Sequence, residues 1–213
     1  MASLSEVRIC NRALSLLGSK RITSLTENSV NARECNAIYD ETLEDILCEH
    51  PWSFAQKRVA LATVDETPAF TDDNMTVVYQ KPSDMLKINF VNISSAIFKV
   101  EGERILSDTA SLKIKYTYRN ENPQSYFPKF VTALATLLAA NMAYAITNSR
   151  TVAEQWLSAY ETIRLPKAMS VDSQQGTATM PVQDEWLLSR RAGGSGSIGG
   201  NTGQEVWFPV GTA

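Results

Sequence analysis

Apolar residues recur at helical spacing in the first and last thirds of the ordered-looking sequence and at strand spacing between them. Ser5 to Leu17 carries Val7, Cys10, Leu14 and Leu17 on one stripe, and Gly18 is a ready stop. Ser29 is placed to cap a second helix reaching about Glu49, with Cys35, Ile38, Tyr39, Leu43, Ile46 and Leu47 on its apolar face and Pro51 ending it. From Arg58 the period shortens. The runs 58–64, 76–79, 86–91, 97–100, 104–106 and 112–118 are short and rich in β-branched and aromatic residues. Turn signals separate them, notably Glu101-Gly102 and Lys81-Pro82-Ser83-Asp84. Lys113, Lys115 and Thr117 alternate with Ile114, Tyr116 and Tyr118, which predicts a strand with one wet face. Pro128 then opens a third helix to about Asn148, apolar on nearly all sides and rich in alanine, as suits a central helix. A fourth helix, 151–164, carries Trp156, Leu157, Tyr160 and Ile163; Pro166 should break it, with a short helical piece following to about Gln175.

This order predicts an α+β protein. Residues 1–57 and 124–176 form an antiparallel helical bundle, 58–123 an inserted small antiparallel β domain, and 177–213 a long extended C-terminal arm. Within the arm, 192–204 has the Gly/Ser composition of a flexible linker. Directly after it stand Val206, Trp207, Phe208, Pro209 and Val210, a dense apolar cluster where polar, frayed sequence is the norm. Burying such an aromatic pair gains on the order of 3 kcal/mol or more. Trp186, Leu187 and Leu188, ahead of Arg190-Arg191, make a second adhesive point. These eight residues are the candidate partner-binding set, and they mark the chain as an assembly component.

Composition narrows the choice of partners. The net charge is −3, from 20 basic and 23 acidic side chains that are interspersed along the chain. No basic stripe is present to grip phosphates, so sequence-independent nucleic-acid binding should be weak, although DNA could still be surrounded without being gripped. Three cysteines, Cys10, Cys35 and Cys48, lie in helical patterns without Cys-x-x-Cys spacing and read as reduced thiols. No export signal is visible at the start. The apolar stretch Phe130 to Ile146 includes Thr132, Thr136 and Asn141, and reads as a buried helix in place of a membrane span.

Catalytic chemistry finds little support. His50 is the single histidine, which excludes His-rich metal sites, and it reads as a helix-end or turn residue. No phosphate-binding loop and no nucleophile elbow occurs. Asp40, Glu41, Glu44 and Asp45 cluster on the polar face of the second helix, and glycoside hydrolysis needs only two carboxylates. Their position points to a solvated or interface-lining acidic surface. The segment His50-Pro51-Trp52-Ser53-Phe54-Ala55 alternates aromatic residues between helix and strand and reads as a hydrophobic plug. No catalytic, cofactor or metal site is expected.

Several short motifs, taken in order, resemble a known family. They are Ala13-Leu14-x-x-Leu17-Gly18 with Ile22 and Leu25, Cys35-Asn36-x-x-Tyr39-Asp40, and His50-Pro51-Trp52-Ser53-Phe54-Ala55 with Arg58 and Leu61. Tyr79-x-x-Pro82-x-Asp84-x-Leu86-Lys87, Val100-Glu101-Gly102 with Ile105-Leu106, and Ile114-x-Tyr116 follow. Phe127-Pro128-x-Phe130 and Ala133-Leu134-Ala135-x-x-Leu138-Ala139-Ala140 complete the series. Over about residues 5–175 the chain resembles the podovirus tail tubular protein A family, the adaptors or head-to-tail connectors of short-tailed phages. Each motif is short and mostly structural; the resemblance rests on their order and spacing.

The resemblance implies a homo-oligomeric ring of roughly twelve copies, a dodecamer, in which each copy presents two different surfaces. The ring would lie between a portal protein and a tail nozzle protein, with tail fibres as a further neighbour. Double-stranded DNA would pass through its lumen without specific binding. It also implies a virion location at the head–tail junction after assembly in the host cytoplasm. Two other readings stand beside it: a tail-associated hydrolase of peptidoglycan or capsule, and a monomeric bundle whose arm folds onto its own core.

Overall fold

The computed structural model describes residues 4–66, 68, 70, 74–93 and 95–176. The arm predicted at 177–213 lies outside the described residues. The protein is of mixed helix and antiparallel sheet, an α+β fold.

Helix α1, Glu6–Leu16, starts where Ser5 accepts a hydrogen bond from the Arg8 amide. It stops where Gly18 takes a left-handed φ of +67°, a conformation that disfavours any side chain. Helix α2, Val30–Glu49, is capped by Ser29, which accepts from the Ala32 amide at 3.2 Å. The loop between them is pinned by Asn11, whose side chain accepts from the Ile22 amide at 2.7 Å and donates to the Ile22 carbonyl at 2.8 Å. Helix α3, Pro128–Thr147, begins with proline in its first turn and ends on Asn148 in the left-handed region. Helix α4, Arg150–Ala159, is capped by Ser149.

The break expected at Pro166 does not occur. A π turn, Tyr160–Arg164, joins α4 directly to α5, Leu165–Ser173. The Leu165 amide bonds to the Tyr160 carbonyl five residues back, a widened turn just ahead of the proline ring and its missing donor. Contacts of α3 with α4, the π turn and α5 hold the whole stretch in line. Helix α3 touches every other α-helix, and its buried alanines 133, 135, 139, 140 and 143 permit close approach. It is also the one described helix long and apolar enough to cross a membrane, and two-thirds of that apolar window (67%) is buried inside the protein.

Among the described residues seven strands lie between α2 and α3: β1 Gln56–Ala60, β2 Thr63–Val64, β3 Val77–Gln80, β4 Met85–Val91, β5 Phe98–Glu101, β6 Arg104–Ser107 and β7 Lys113–Tyr118. They form two antiparallel sheets, ordered β1-β7-β4 and β2-β3-β6-β5. The run 58–64 is thus two strands that pair in different sheets, with the crossing at Leu61-Ala62. Tyr79 and Ile105 from one sheet and Met85, Ile114 and Tyr116 from the other, with Leu112, make a second core separate from the helical one. The wet face predicted on β7 needs one correction. Thr117 is buried, and its hydroxyl accepts from Asn89 at 2.8 Å beside a register shift in β4.

Candidate functional site

The chain passes between helices and sheets twice, and the two passages lie together. On the way out, α2 ends at His50 in an extended conformation, so its last carbonyls find no left-handed cap. Side chains take that role. The Trp52 Nε1 donates to the Ile46 carbonyl at 2.7 Å, and Lys87 Nζ donates to the Cys48 carbonyl at 3.2 Å. On the way back, buried Asn120 donates to the Phe54 carbonyl at 3.0 Å and to Ser125 Oγ at 2.8 Å. Tyr126 donates its hydroxyl to the Asn120 carbonyl.

Between these passages sits a pack of rings. Phe130 lies edge-on to Trp52, Phe54 and Tyr126, with centroids 5.0, 4.7 and 5.0 Å away. Trp52 is fully buried, so the plug anticipated from His50-Pro51-Trp52-Ser53-Phe54-Ala55 is a packed neck. Burial pushes the Tyr126 phenol well above its ordinary range, as expected for a hydroxyl committed to a backbone carbonyl.

A second knot lies beside the neck. Asp172, near the end of α5, accepts from the Ser53 amide at 3.1 Å and from Ser53 Oγ at 2.6 Å. Its other oxygen is 3.2 Å from His50 Nε2. Serine, histidine and aspartate converge here in the wrong order for nucleophilic catalysis, which needs the imidazole between hydroxyl and carboxylate. The carboxylate stands in the middle, and Ser53 Oγ also lies 3.0 Å from Gln175 Oε1. The arrangement clamps α5 onto the helix–strand corner.

The acidic face of α2 is also engaged. Arg119, just past β7, meets Asp40, Glu44 and Glu121 at 3.1 Å each. Asp40 and Glu44 are substantially exposed and share one guanidinium, whereas a catalytic acid needs a desolvated carboxyl. Arg119 therefore reads as a third staple between helix and sheet. Cys10, Cys35 and Cys48 are free; Cys10 and Cys35 are buried and Cys48 half-buried. The neighbouring Cys35 thiol, together with burial, pushes the Cys10 thiol up and keeps it unreactive.

Asp84 closes the sheet side of the neck. Lys57 Nζ lies 2.5 Å from its carboxylate and Tyr116 donates to it at 3.0 Å. The hydrogen bond from Lys57, reinforced by Tyr116, holds this carboxyl below its usual range. A lowered carboxyl pKa contributes stability that is complete above the ordinary carboxylate range and is lost as pH falls through the lowered value. Asp84→Asn is expected to cost under about 1 kcal/mol at pH 7, since the pair is half-exposed. The deficit should shrink as pH falls below the ordinary carboxylate range and vanish once pH has passed the lowered value; urea midpoints of both proteins across pH measure it.

No group of three or more His, Cys, Asp or Glu side chains is placed to hold a metal ion among the described residues. A shallow groove of about 450 Å³ runs along α4 past Thr151, Glu154, Gln155, Ser158 and Thr162, with no convergent chemistry. The predicted partner-binding residues, Trp186, Leu187, Leu188, Val206, Trp207, Phe208, Pro209 and Val210, all lie outside the described residues. The neck itself was only half visible beforehand: the aromatic motif marked one passage, while Asn120, Arg119 and Asp172 carried no local signal. No protein-family model and no curated protein matches this chain.

Proposed function

We propose that this chain is a structural adaptor of a short-tailed phage, a ring-forming head-to-tail connector that joins the portal to the tail nozzle. In this reading 1–57 and 124–176 act as the helical wedge of the ring, 58–123 as its inserted β domain, and 177–213 as an arm that latches onto a neighbour. DNA passes through the lumen during ejection. The observation that carries the reading is the ordered series of motifs, centred on His50-Pro51-Trp52-Ser53-Phe54-Ala55, within a helix–β–helix chain.

Two further features support it. The motif residues serve stiffness: Trp52, Phe54, Phe127 and Phe130 fill the neck, and Ala133, Leu134 and Leu138 fill the helical core. A subunit that carries load between a capsid and a tail needs its two parts to move as one body, and three separate staples cross this neck. The interspersed charge, net −3, suits a channel through which DNA must slide.

Imaging tests the proposal directly. Purified full-length chain, alone or mixed with a portal assembly, is expected to appear as closed rings, and antibodies against it should label one vertex of the particle at the tail. Label distributed over the capsid shell or along fibres, with no rings in either preparation, would overturn the reading.

A further inference from the structure

We infer that the outer face of the sheet β1-β7-β4 binds single-stranded nucleic acid, holding phosphates on Arg58, Lys113 and Lys115 and stacking a base on Phe90. The inference goes beyond the adaptor reading and does not depend on it.

The three strands carry five cations, Lys57, Arg58, Lys87, Lys113 and Lys115, and no carboxylate. Their pairing divides the side chains between two faces. Val59, Ile88, Val91, Ile114 and Tyr116 line the core between the sheets. The residues that alternate with them stand on the opposite, outer face. There Arg58 pairs with Lys115 and Lys115 with Phe90, one row across all three strands. Lys113 lies in the next row, opposite Ala60 on one side and bonded through its backbone to Asn92 on the other. Directly opposed side chains have Cβ atoms about 5 Å apart, and residues two apart on one strand lie about 7 Å apart. Three positive charges therefore share one patch with an aromatic ring at its border. Arg58 and Lys113 are exposed, Phe90 is 59% exposed, and Lys115 is half-buried.

The charges of this patch are unmatched. Lys57 is engaged by Asp84, and Lys87 by the Cys48 carbonyl. Arg58, Lys113 and Lys115 find no hydrogen-bond or ion-pair partner for their charges among the described residues. The neighbouring sheet is built differently: Arg104 meets Glu66 at 2.7 Å, and Lys81 meets Glu103 at 3.8 Å. Like charges directly opposite each other destabilise a sheet. Arg58 and Lys115 stand so, a cost that nothing within the subunit offsets. An anion from outside offsets it. Charge is interspersed along the sequence, and strand alternation then sorts these three cations onto one side from segments far apart in the chain.

The ring decides the class of anion. Carboxylates of a protein partner would satisfy the cations and leave Phe90 in water. A duplex offers phosphates, but its bases are already paired and stacked, so it also leaves the ring unused. A single strand offers phosphates and free base faces together, and a flat sheet with cations beside an exposed ring suits unstacked bases. Every base has such a face, so the binding is independent of sequence. Three phosphate contacts keep it weak, in line with the chain's net charge of −3.

Fluorescence anisotropy with the full-length chain tests the inference. A labelled oligothymidylate of about twelve nucleotides is expected to bind with a Kd on the order of 10⁻⁴ M at physiological salt. The logarithm of its affinity should fall against the logarithm of salt concentration with a slope of about −2. Arg58→Gln, Lys113→Gln and Lys115→Gln combined should weaken binding at least tenfold at low salt and bring the slope near zero. Phe90→Ala should weaken it at least fivefold and leave the slope unchanged, because it removes a stacking face and no charge. Lys115→Gln alone relieves the repulsion across the strands, so its urea midpoint should equal or exceed that of the unaltered chain. A lowered midpoint would mean that this charge already serves the fold, and would overturn the inference. No binding at low salt, or affinity unchanged in Phe90→Ala, would also overturn it. A duplex of the same length, or an oligoglutamate of equal charge, binding as tightly as the single strand would remove single-stranded nucleic acid as the ligand. Self-association lost in the triple variant, with oligothymidylate left unbound by the unaltered chain, would assign the face to a second copy and overturn the inference.

Discussion

Trp52→Ala is expected to lower the free energy of unfolding by about 3–5 kcal/mol. Trp52 has no solvent exposure, and its ring meets His50, Phe130, Phe127 and Phe54 at centroid distances of 4.8, 5.0, 5.9 and 6.2 Å. Truncation removes that packing and leaves a cavity lined by rings that belong to both passages of the chain. It also strips the Ile46 carbonyl of its donor, at the end of α2 where no backbone cap replaces it. Trp52→Phe separates the two contributions, because it keeps most of the ring burial and loses only the N–H. A loss of about 1–2 kcal/mol is expected for that variant. Urea unfolding followed by circular dichroism measures both. If Trp52→Ala cost less than about 1 kcal/mol, the neck could not be the rigid joint the adaptor reading requires.

The aromatic area at the neck lies where the helical part and the sheets meet. The two cores, one helical and one between the sheets, share no buried residues. Besides the two backbone passages, Leu86 of β4 packs on the helical core and Lys87 reaches the Cys48 carbonyl. The ring pack supplies non-directional cohesion, while Asn120, Arg119 and Asp172 fix orientation through directional bonds.

How far this was legible in the sequence depended on whether the determining contact was local. The starts of α1, α2 and α3 were readable from Ser5, Ser29 and Pro128, because caps and proline act within one turn. The turn at Glu101-Gly102 and its hairpin were readable for the same reason. Pro166 misled, since a lone proline in a helical pattern signals a stop, and the packing of α3 along both flanking segments overrode it through a π turn. In 58–64 the large apolar residues are Val59, Leu61 and Val64, and a single change of phase in so short a run does not by itself mark the passage from one sheet to the other. Thr117 looked like a solvent-facing residue until Asn89, on a bulged neighbour, reached it. The arm remained a matter of composition, and its eight candidate residues have no described surroundings.

Asp172 is the extreme case of a non-local determinant, and its removal should show the second largest effect. It sits in an unremarkable polar stretch, Ser170-Val171-Asp172-Ser173, more than a hundred residues from both of its partners. Its side chain is only 4% exposed, yet it receives the Ser53 amide, the Ser53 hydroxyl and the His50 ring. Asp172→Ala is expected to cost about 2–3 kcal/mol, the usual scale for hydrogen bonds to a charged acceptor when the freed donors can partly turn to water. Asp172→Asn keeps one carbonyl acceptor for the Ser53 amide, and its NH₂ can donate to Ser53 Oγ or to His50 Nε2, so the loss of the charge-assisted bonds leaves about half that cost. The effect should be local as well as global. Amide exchange should accelerate across α5 and residues 51–55, while the β core keeps its protection. A chain with Asp172→Ala should therefore still fold, with α5 loosened from the helix–strand corner. Uniform loss of protection across both cores would instead make Asp172 a general stabiliser, and the clamp on α5 would have no separate role.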